Sequence, residues 1–260
     1  MGCNLNNMST WQKARFTIYL LVLFSCYHLA EGAILFKKDN LEFFFWMCIF
    51  FLTSFSYKKW QSGILPHSAL NWKASAPREV LSGLFIGIGC ASAAFTIALG
   101  SHLIAIETYP SFLPFTRSFI MLSFGVLLTS LSEDILTRVI WYDRFQKQIT
   151  PSALIFLTTL LYSLNHIYRY NDGWLVWTHL ILIGLIFGTT LVQKRTIWFS
   201  FGIHWGLNII YQVTNNIIQT REINTSFSGF HILVILEAIL LLFLLLIRNQ
   251  SQNIKQPITQ

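Results

Sequence analysis

The chain has 260 residues, of which 54% are hydrophobic, 16% aromatic and only 11% charged, with a formal net charge of +7. Soluble domains carry about 25% charged residues, so one soluble core cannot hide this much apolar surface, and the chain reads as a polytopic membrane protein. Its basic residues sit in short clusters between apolar runs, as membrane topology requires, and this argues against a nucleic-acid partner.

A membrane-crossing helix needs about 20 mostly apolar residues. Eight runs qualify as candidates: 16–36, 41–57, 80–105, 114–136, 152–170, 174–192, 196–213 and 229–247. Their apolarity is continuous and does not alternate with period two, so the expected fold is an all-α, polytopic helical bundle of about eight transmembrane helices, not a barrel. The whole chain, 1–260, reads as one membrane domain.

Before the first run, Met1-Gly2-Cys3 invites a lipidation reading, but the myristoylation pattern wants Ser or Thr where Asn6 stands. The first run follows Lys13 and Arg15 as a signal peptide would, yet it is long enough to span and no small-residue cleavage site follows; it is expected to be retained. Residues 58–79, with Lys58, Lys59, Trp60, Trp72, Lys73 and Pro77, suit a segment at headgroup level. The cysteines Cys3, Cys26, Cys48 and Cys90 form no CxxC pair, which indicates neither a disulfide framework nor a thiolate metal site. Small-residue spacings at Gly83 and Gly87 and at Gly184 and Gly188 would let helices approach closely.

With the N-terminus inside, twelve basic residues (Lys13, Arg15, Lys58, Lys59, Lys73, Arg78, Arg144, Lys147, Lys194, Arg195, Arg248 and Lys255) fall on the cytoplasmic side against Lys37, Lys38, Arg169 and Arg221 opposite. Both termini are therefore expected in the cytoplasm, and the protein in the plasma membrane of a prokaryote.

An ionisable group at membrane depth costs at least about 2.5 to 3.5 kcal/mol on insertion scales, so each must be paired, hydrated or functional. Three clusters stand out. The fourth run ends in Ser132-Glu133-Asp134-Ile135-Leu136-Thr137-Arg138, the fifth contains Tyr162-Ser163-Leu164-Asn165-His166, and the seventh contains His204-Trp205-Gly206-Leu207-Asn208. Glu133 and Asp134 point about 100° apart, whereas Asp134 can pair with Arg138 one turn on, leaving Glu133 to face a site. His204 and Asn208 share a face in the same way, as do Tyr162 and His166. At 1.5 Å per residue, Glu133 lies roughly 15 Å, His166 roughly 22 Å and His204 roughly 14 Å from the cytoplasmic boundary, close enough to meet. The other intramembrane histidines, His28, His102, His179 and His231, read as hydrogen-bonded packing residues, Glu31 and Glu237 as paired or interfacial, and Arg117 as snorkelling.

These clusters resemble the motifs of the CPBP intramembrane proteases, which include the CAAX prenyl endopeptidases and the bacteriocin-processing and self-immunity proteins. The family's Glu-Glu-x-x-x-Arg, Phe-x-x-x-His and His-x-x-x-Asn appear here as Glu133-Asp134-x-x-x-Arg138, Tyr162-x-x-x-His166 and His204-x-x-x-Asn208. Asp134 and Tyr162 depart from the pattern. The resemblance spans about 114–213, the expected catalytic core. It implies an intramembrane endopeptidase in which Glu133 is the general base, His166 holds and polarises water, His204 and Asn208 donate to the oxyanion, and Asp134, Arg138 and Tyr162 support them. The implied substrate is a membrane-associated or lipidated peptide or protein: a prenylated C-terminus, a bacteriocin leader or a signalling peptide.

Glu133, His166 and His204 are also the one-carboxylate, two-imidazole donor set of zinc hydrolases, so a divalent zinc stays open, although HExxH is absent. A non-catalytic immunity or scaffold protein of the same fold is a second reading, and a small proton-coupled transporter a third.

Overall fold

The computed structural model describes residues 9–61, 68–223 and 227–253. The lipidation reading at Met1-Gly2-Cys3, part of the headgroup-level segment and the C-terminal Lys255 lie outside them. The described chain is helical almost throughout: α1 (Thr10–Gly32), α2 (Asn40–Gln61), α3 (Ala76–Gly100), α4 (Phe112–Asp134), α5 (Ile140–Phe145), α6 (Pro151–Asn165), α7 (Trp174–Lys194), α8 (Trp198–Gln212) and α9 (Gly229–Asn253). The expected all-α architecture holds, with one addition. Strands β1 (Ile104–Thr108) and β2 (Gln219–Glu222) form an antiparallel ribbon that ties the α3–α4 connection to the α8–α9 connection.

The helix starts follow from local chemistry. Ser9 and Gln12 make a reciprocal capping box at the head of α1. Asp39 accepts the backbone N–H groups of Leu41 and Glu42 at 2.9 and 3.0 Å as α2 begins. Thr150 accepts from Ala153 N–H, with Pro151 at the first helical position of α6.

Five helical segments are long and apolar enough to cross a membrane: Thr10–Lys37, Ala76–Gly100, Phe112–Phe145, Trp174–Lys194 and Gly229–Ile247. Asn40–Ser56 and Pro151–Asn165 are apolar but shorter. Several expected boundaries move. The fourth run does not stop at 136: α4 passes through a π-helical turn, Ile135–Val139, into α5, so Arg138 lies within the segment and not at its edge. The fifth run stops early, because α6 ends at Asn165 and a short 3-10 segment, Ile167–Asp172, follows. The third run also shortens, with α3 ending at Gly100 before His102 takes a left-handed turn into β1.

The closest approach in the bundle joins α3 to α8. A Cβ built on Gly83 would lie 2.2 Å from Phe199 O, on Gly87 2.3 Å from Ile203 O, on Gly202 2.3 Å from Val80 O and on Gly206 2.5 Å from Leu84 O. The backbones therefore touch through a double Gly-x-x-x-Gly interface, of which only the α3 half was expected. Gly184 and Gly188 serve α7 against Thr159, Thr158 and Ile155 of α6. α3, α6, α7 and α8 are thus locked side by side, and His204 sits between two of the interlocked glycines.

Candidate functional site

Glu133 is buried near the end of α4, one residue before Asp134 and just ahead of the π turn. A π turn inserts an extra residue into the helical count and re-aims the side chains around it. Across it, Arg138 donates through Nη1 to Asp134 Oδ1, with both side chains fully buried. The guanidinium sits in the corner of two rings set nearly at right angles, 4.5 Å from the centroid of Tyr162 and 4.4 Å from that of Phe187. A planar guanidinium can lie on aromatic faces and still donate in its own plane to a carboxylate.

Asp134 also reaches a third helix. The oxygen that accepts from Arg138 lies 3.0 Å from His204 Nδ1. Because a carboxylate offers only acceptors, Nδ1 of His204 carries the proton and Nε2 is turned towards Glu133 Oε2, 3.5 Å away. His166 repeats the arrangement by other means. It sits at the C-cap of α6 (φ −103°, ψ 21°), outside the regular helix in which the sequence reading had it. Its Nδ1 lies 3.0 Å from the Tyr162 carbonyl, again an acceptor, and its Nε2 is 3.4 Å from Glu133 Oε1.

Two imidazole nitrogens thus face the two oxygens of one carboxylate, each imidazole with its proton committed to the far side. Lone pairs facing a carboxylate repel unless hydrogen lies between them. The arrangement is relieved by a proton shared within the group, or by a water at its apex that donates to Glu133 and to an Nε2.

Asn208, one turn past His204, donates through Nδ2 to Ser130 Oγ at 2.9 Å, a partner the sequence reading had not assigned. A second unassigned residue is Asn165, whose Nδ2 donates to Glu133 Oε1 at 3.0 Å. Its signal was legible: a buried amide beside His166, in an apolar helix where an amide is costly. Buried Tyr27 of α1 lies near Asn165 and Glu133 and so brings the first helix to the site. Glu31, also on α1, accepts from Tyr168 Oη at 2.6 Å and lies 3.3 Å from His28, so it is paired. Burial and the neighbouring Glu31 push the Tyr168 phenol well above its usual range, which keeps it a donor.

Glu133, Tyr162, His166, His204 and Asn208 line one cavity of about 410 Å³. Its remaining wall is mixed, with an apolar part from Ala91, Ala94 and Ala98 of α3, Leu180 and Ile183 of α7, and Phe230 and Leu233 of α9, and a polar part that includes Arg169, His179 and Asn215. Polar groups at the ribbon, Thr220 and Glu222, also contribute. The volume falls in the range of sites that enclose a small ligand or a short extended chain.

The donor chemistry of Glu133, His166 and His204 is that of a zinc site, but among the described residues no group of three or more His, Cys, Asp and Glu side chains is disposed to hold a metal ion. As placed, the three side chains do not form a zinc cage.

Residues 115–210 match a family model described as Rce1-like, Type II CAAX prenyl endopeptidase Rce1-like. The resemblance to the CPBP intramembrane proteases, read from three short motifs, is borne out over this stretch. The matched stretch contains every motif residue from Glu133 to Asn208. Neither the curated proteins nor the solved structures gave a match.

Proposed function

We propose that this chain is an intramembrane endopeptidase of the CAAX type, cleaving a peptide bond in a lipidated, membrane-associated peptide with a water activated by Glu133. The observation that carries the reading is the approach of His166 Nε2 and His204 Nε2 to the two oxygens of one buried carboxylate, at 3.4 and 3.5 Å, on the wall of a cavity within the bundle. Peptide hydrolysis needs an activated water, stabilisation of the oxyanion and a proton for the leaving amine. Glu133 takes a proton from the water and returns it to the amine. His166, tied through Nδ1 to the Tyr162 carbonyl, fixes the water with Nε2.

As Glu133 gains the proton, the same network supplies donors for the oxyanion. Asn208 offers an amide hydrogen beyond the one given to Ser130, and His204, backed by Asp134, donates to the oxyanion by sharing through Nε2 the proton that Glu133 took from water, which returns through Glu133 to the leaving amine. Asp134 and Arg138 hold their positions without entering the reaction. Water exclusion by the apolar part of the wall strengthens each of these interactions.

The same reading includes a core of about 114–213, eight membrane crossings with both termini cytoplasmic, and the plasma membrane of a prokaryote. It requires α8 and the shorter α2 and α6 to cross together with the five long segments. Lipid is the surrounding partner, and the acyl or prenyl chain of the substrate is the group suited to the alanine-lined wall.

The test is cleavage by the full chain in liposomes, using an internally quenched farnesylated peptide with a CAAX-type end. Glu133→Ala is expected to abolish cleavage while the protein stays inserted. Cleavage at the parental rate in that variant would overturn the assignment of the base.

A further inference from the structure

The cavity lined by Glu133 is also lined by the imidazole of a second acid–imidazole pair. His179, on the second turn of α7, lines the cavity, and its Nδ1 is 2.9 Å from both carboxylate oxygens of Glu237 on α9. Glu237 is buried to 1% exposure, while the His179 side chain keeps 19%. From the sequence His179 reads as a hydrogen-bonded packing residue and Glu237 as paired or interfacial, and the two are here each other's partners.

A contact whose only duty is to glue two helices has no need of a carboxylate here. α7 and α9 are already joined by leucine packing around Leu233, Leu240 and Leu241, and by Gln193 Nε2 donating to the Leu244 carbonyl at 3.1 Å. What the carboxylate does is set the imidazole. With both of its oxygens on Nδ1, the proton is fixed there, and Nε2 is left as an acceptor on the ring edge away from Glu237. No hydrogen bond to that Nε2 is present among the described residues. Phe230, with its ring centroid 5.2 Å from the imidazole, also lines the cavity and limits how the ring can turn.

We propose that His179, oriented by Glu237, is a substrate-binding residue: its Nε2 accepts a main-chain N–H of the peptide and holds the strand within the cavity that Glu133 also lines. An extended peptide presents N–H groups that need acceptors once they leave water, so an acceptor on the cavity wall both compensates desolvation and fixes the register of the scissile bond. This inference rests on the proteolytic reading above.

The experiment uses the full chain in lipid nanodiscs and a farnesylated CAAX-type peptide, with binding measured in the Glu133→Gln background and cleavage with Glu133 intact. The double variant His179→Leu with Glu237→Leu removes the pair without stranding a buried charge. Its Kd and KM are expected to rise roughly 10- to 100-fold, the value of one hydrogen bond in a desolvated site, with kcat changed much less. His179→Gln, which keeps an acceptor, is expected to recover part of the loss. Peptides N-methylated one amide at a time supply the readout a packing role would not move: one position weakens binding to the parent and has no effect on the double variant. Unaltered Kd and KM, or N-methyl penalties identical in parent and variant, would overturn the proposal and leave the pair as a helix contact. A parent that binds the peptide without cutting it counts against the proteolytic reading while the binding comparison still decides the role of His179; a parent that does neither overturns both.

Discussion

One carboxylate oxygen of Asp134 serves both Arg138 and His204, so the position of the histidine on α8 is tied to a cation buried within the α4–α5 segment. Replacing Asp134 by Asn keeps the shape and removes the charge. The buried guanidinium then loses its counter-ion, and breaking such a pair costs about 3–5 kcal/mol. Asp134→Asn is expected to lower the thermal unfolding midpoint in lipid and to reduce cleavage strongly. Asp134→Glu restores the charge and is expected to keep the fold and recover part of the activity. Equal midpoints for Asn and Glu would show that the charge of Asp134 is not what holds Arg138.

The sequence was informative about this constellation because an ionisable side chain in a long apolar run is conspicuous whatever the fold. Glu133, Asp134, His166 and His204 could be singled out on cost alone, and helical spacing identified Asp134 with Arg138 and His204 with Asn208. What periodicity could not reveal was the break in regular geometry: the π turn after Asp134 and the end of α6 at Asn165 are responses to tertiary packing, and they decide where Arg138 and His166 point. The ribbon between β1 and β2 was equally hidden, since four or five residues between apolar runs carry no distinctive pattern. His179 and Glu237 were visible as oddities but not as a pair, because 58 positions separate them.

Asn165 donates to the Glu133 oxygen that faces His166, so its amide orients the base and offsets part of its charge. Asn165→Leu leaves the carboxylate with one donor fewer in a buried place, a loss of about 1–3 kcal/mol of stabilisation of its charged form. The expected result is a drop in kcat of roughly 10- to 100-fold with KM nearly constant, measured by steady-state cleavage in liposomes. A rise in KM alone would assign Asn165 to substrate binding instead.

Ser130 and Asn208 separate orientation from donation. Asn208→Leu removes an oxyanion donor and is expected to cost about 100- to 1000-fold in kcat, the usual effect of losing one such group. Ser130→Ala only frees the amide from the acceptor that aims it, and a much smaller loss is expected. Should Ser130→Ala be as damaging as Asn208→Leu, the pair would act as one unit through the serine hydroxyl.

Metal dependence can be read directly. In the glutamate mechanism the histidines hold water and protons, so prolonged treatment of the reconstituted chain with a membrane-permeant zinc chelator is expected to leave the cleavage rate unchanged. Loss of activity that returns only on adding back zinc would instead establish Glu133, His166 and His204 as ligands and require their side chains to rearrange around the ion.

The α3–α8 interface gives a prediction independent of the chemistry. At Gly87 and Gly202 an added methyl would meet backbone of the facing helix, Ile203 O at 2.3 Å and Val80 O at 2.3 Å, and backbone cannot rotate away as a side chain can. Overpacking of a tight contact costs typically about 1–3 kcal/mol, and pushing two helices apart is expected to reach the upper part of that range. Because His204 lies between Gly202 and Gly206, the displacement carries its imidazole away from Asp134 and Glu133. Gly202→Ala is therefore expected to reduce both the unfolding midpoint and kcat, whereas Gly89→Ala on α3, where a Cβ meets nothing within 4 Å, changes neither. Thermal unfolding and cleavage measured on the same nanodisc preparations check both outcomes, and a Gly202→Ala protein with parental stability would mean that the two helices are not in backbone contact in the membrane.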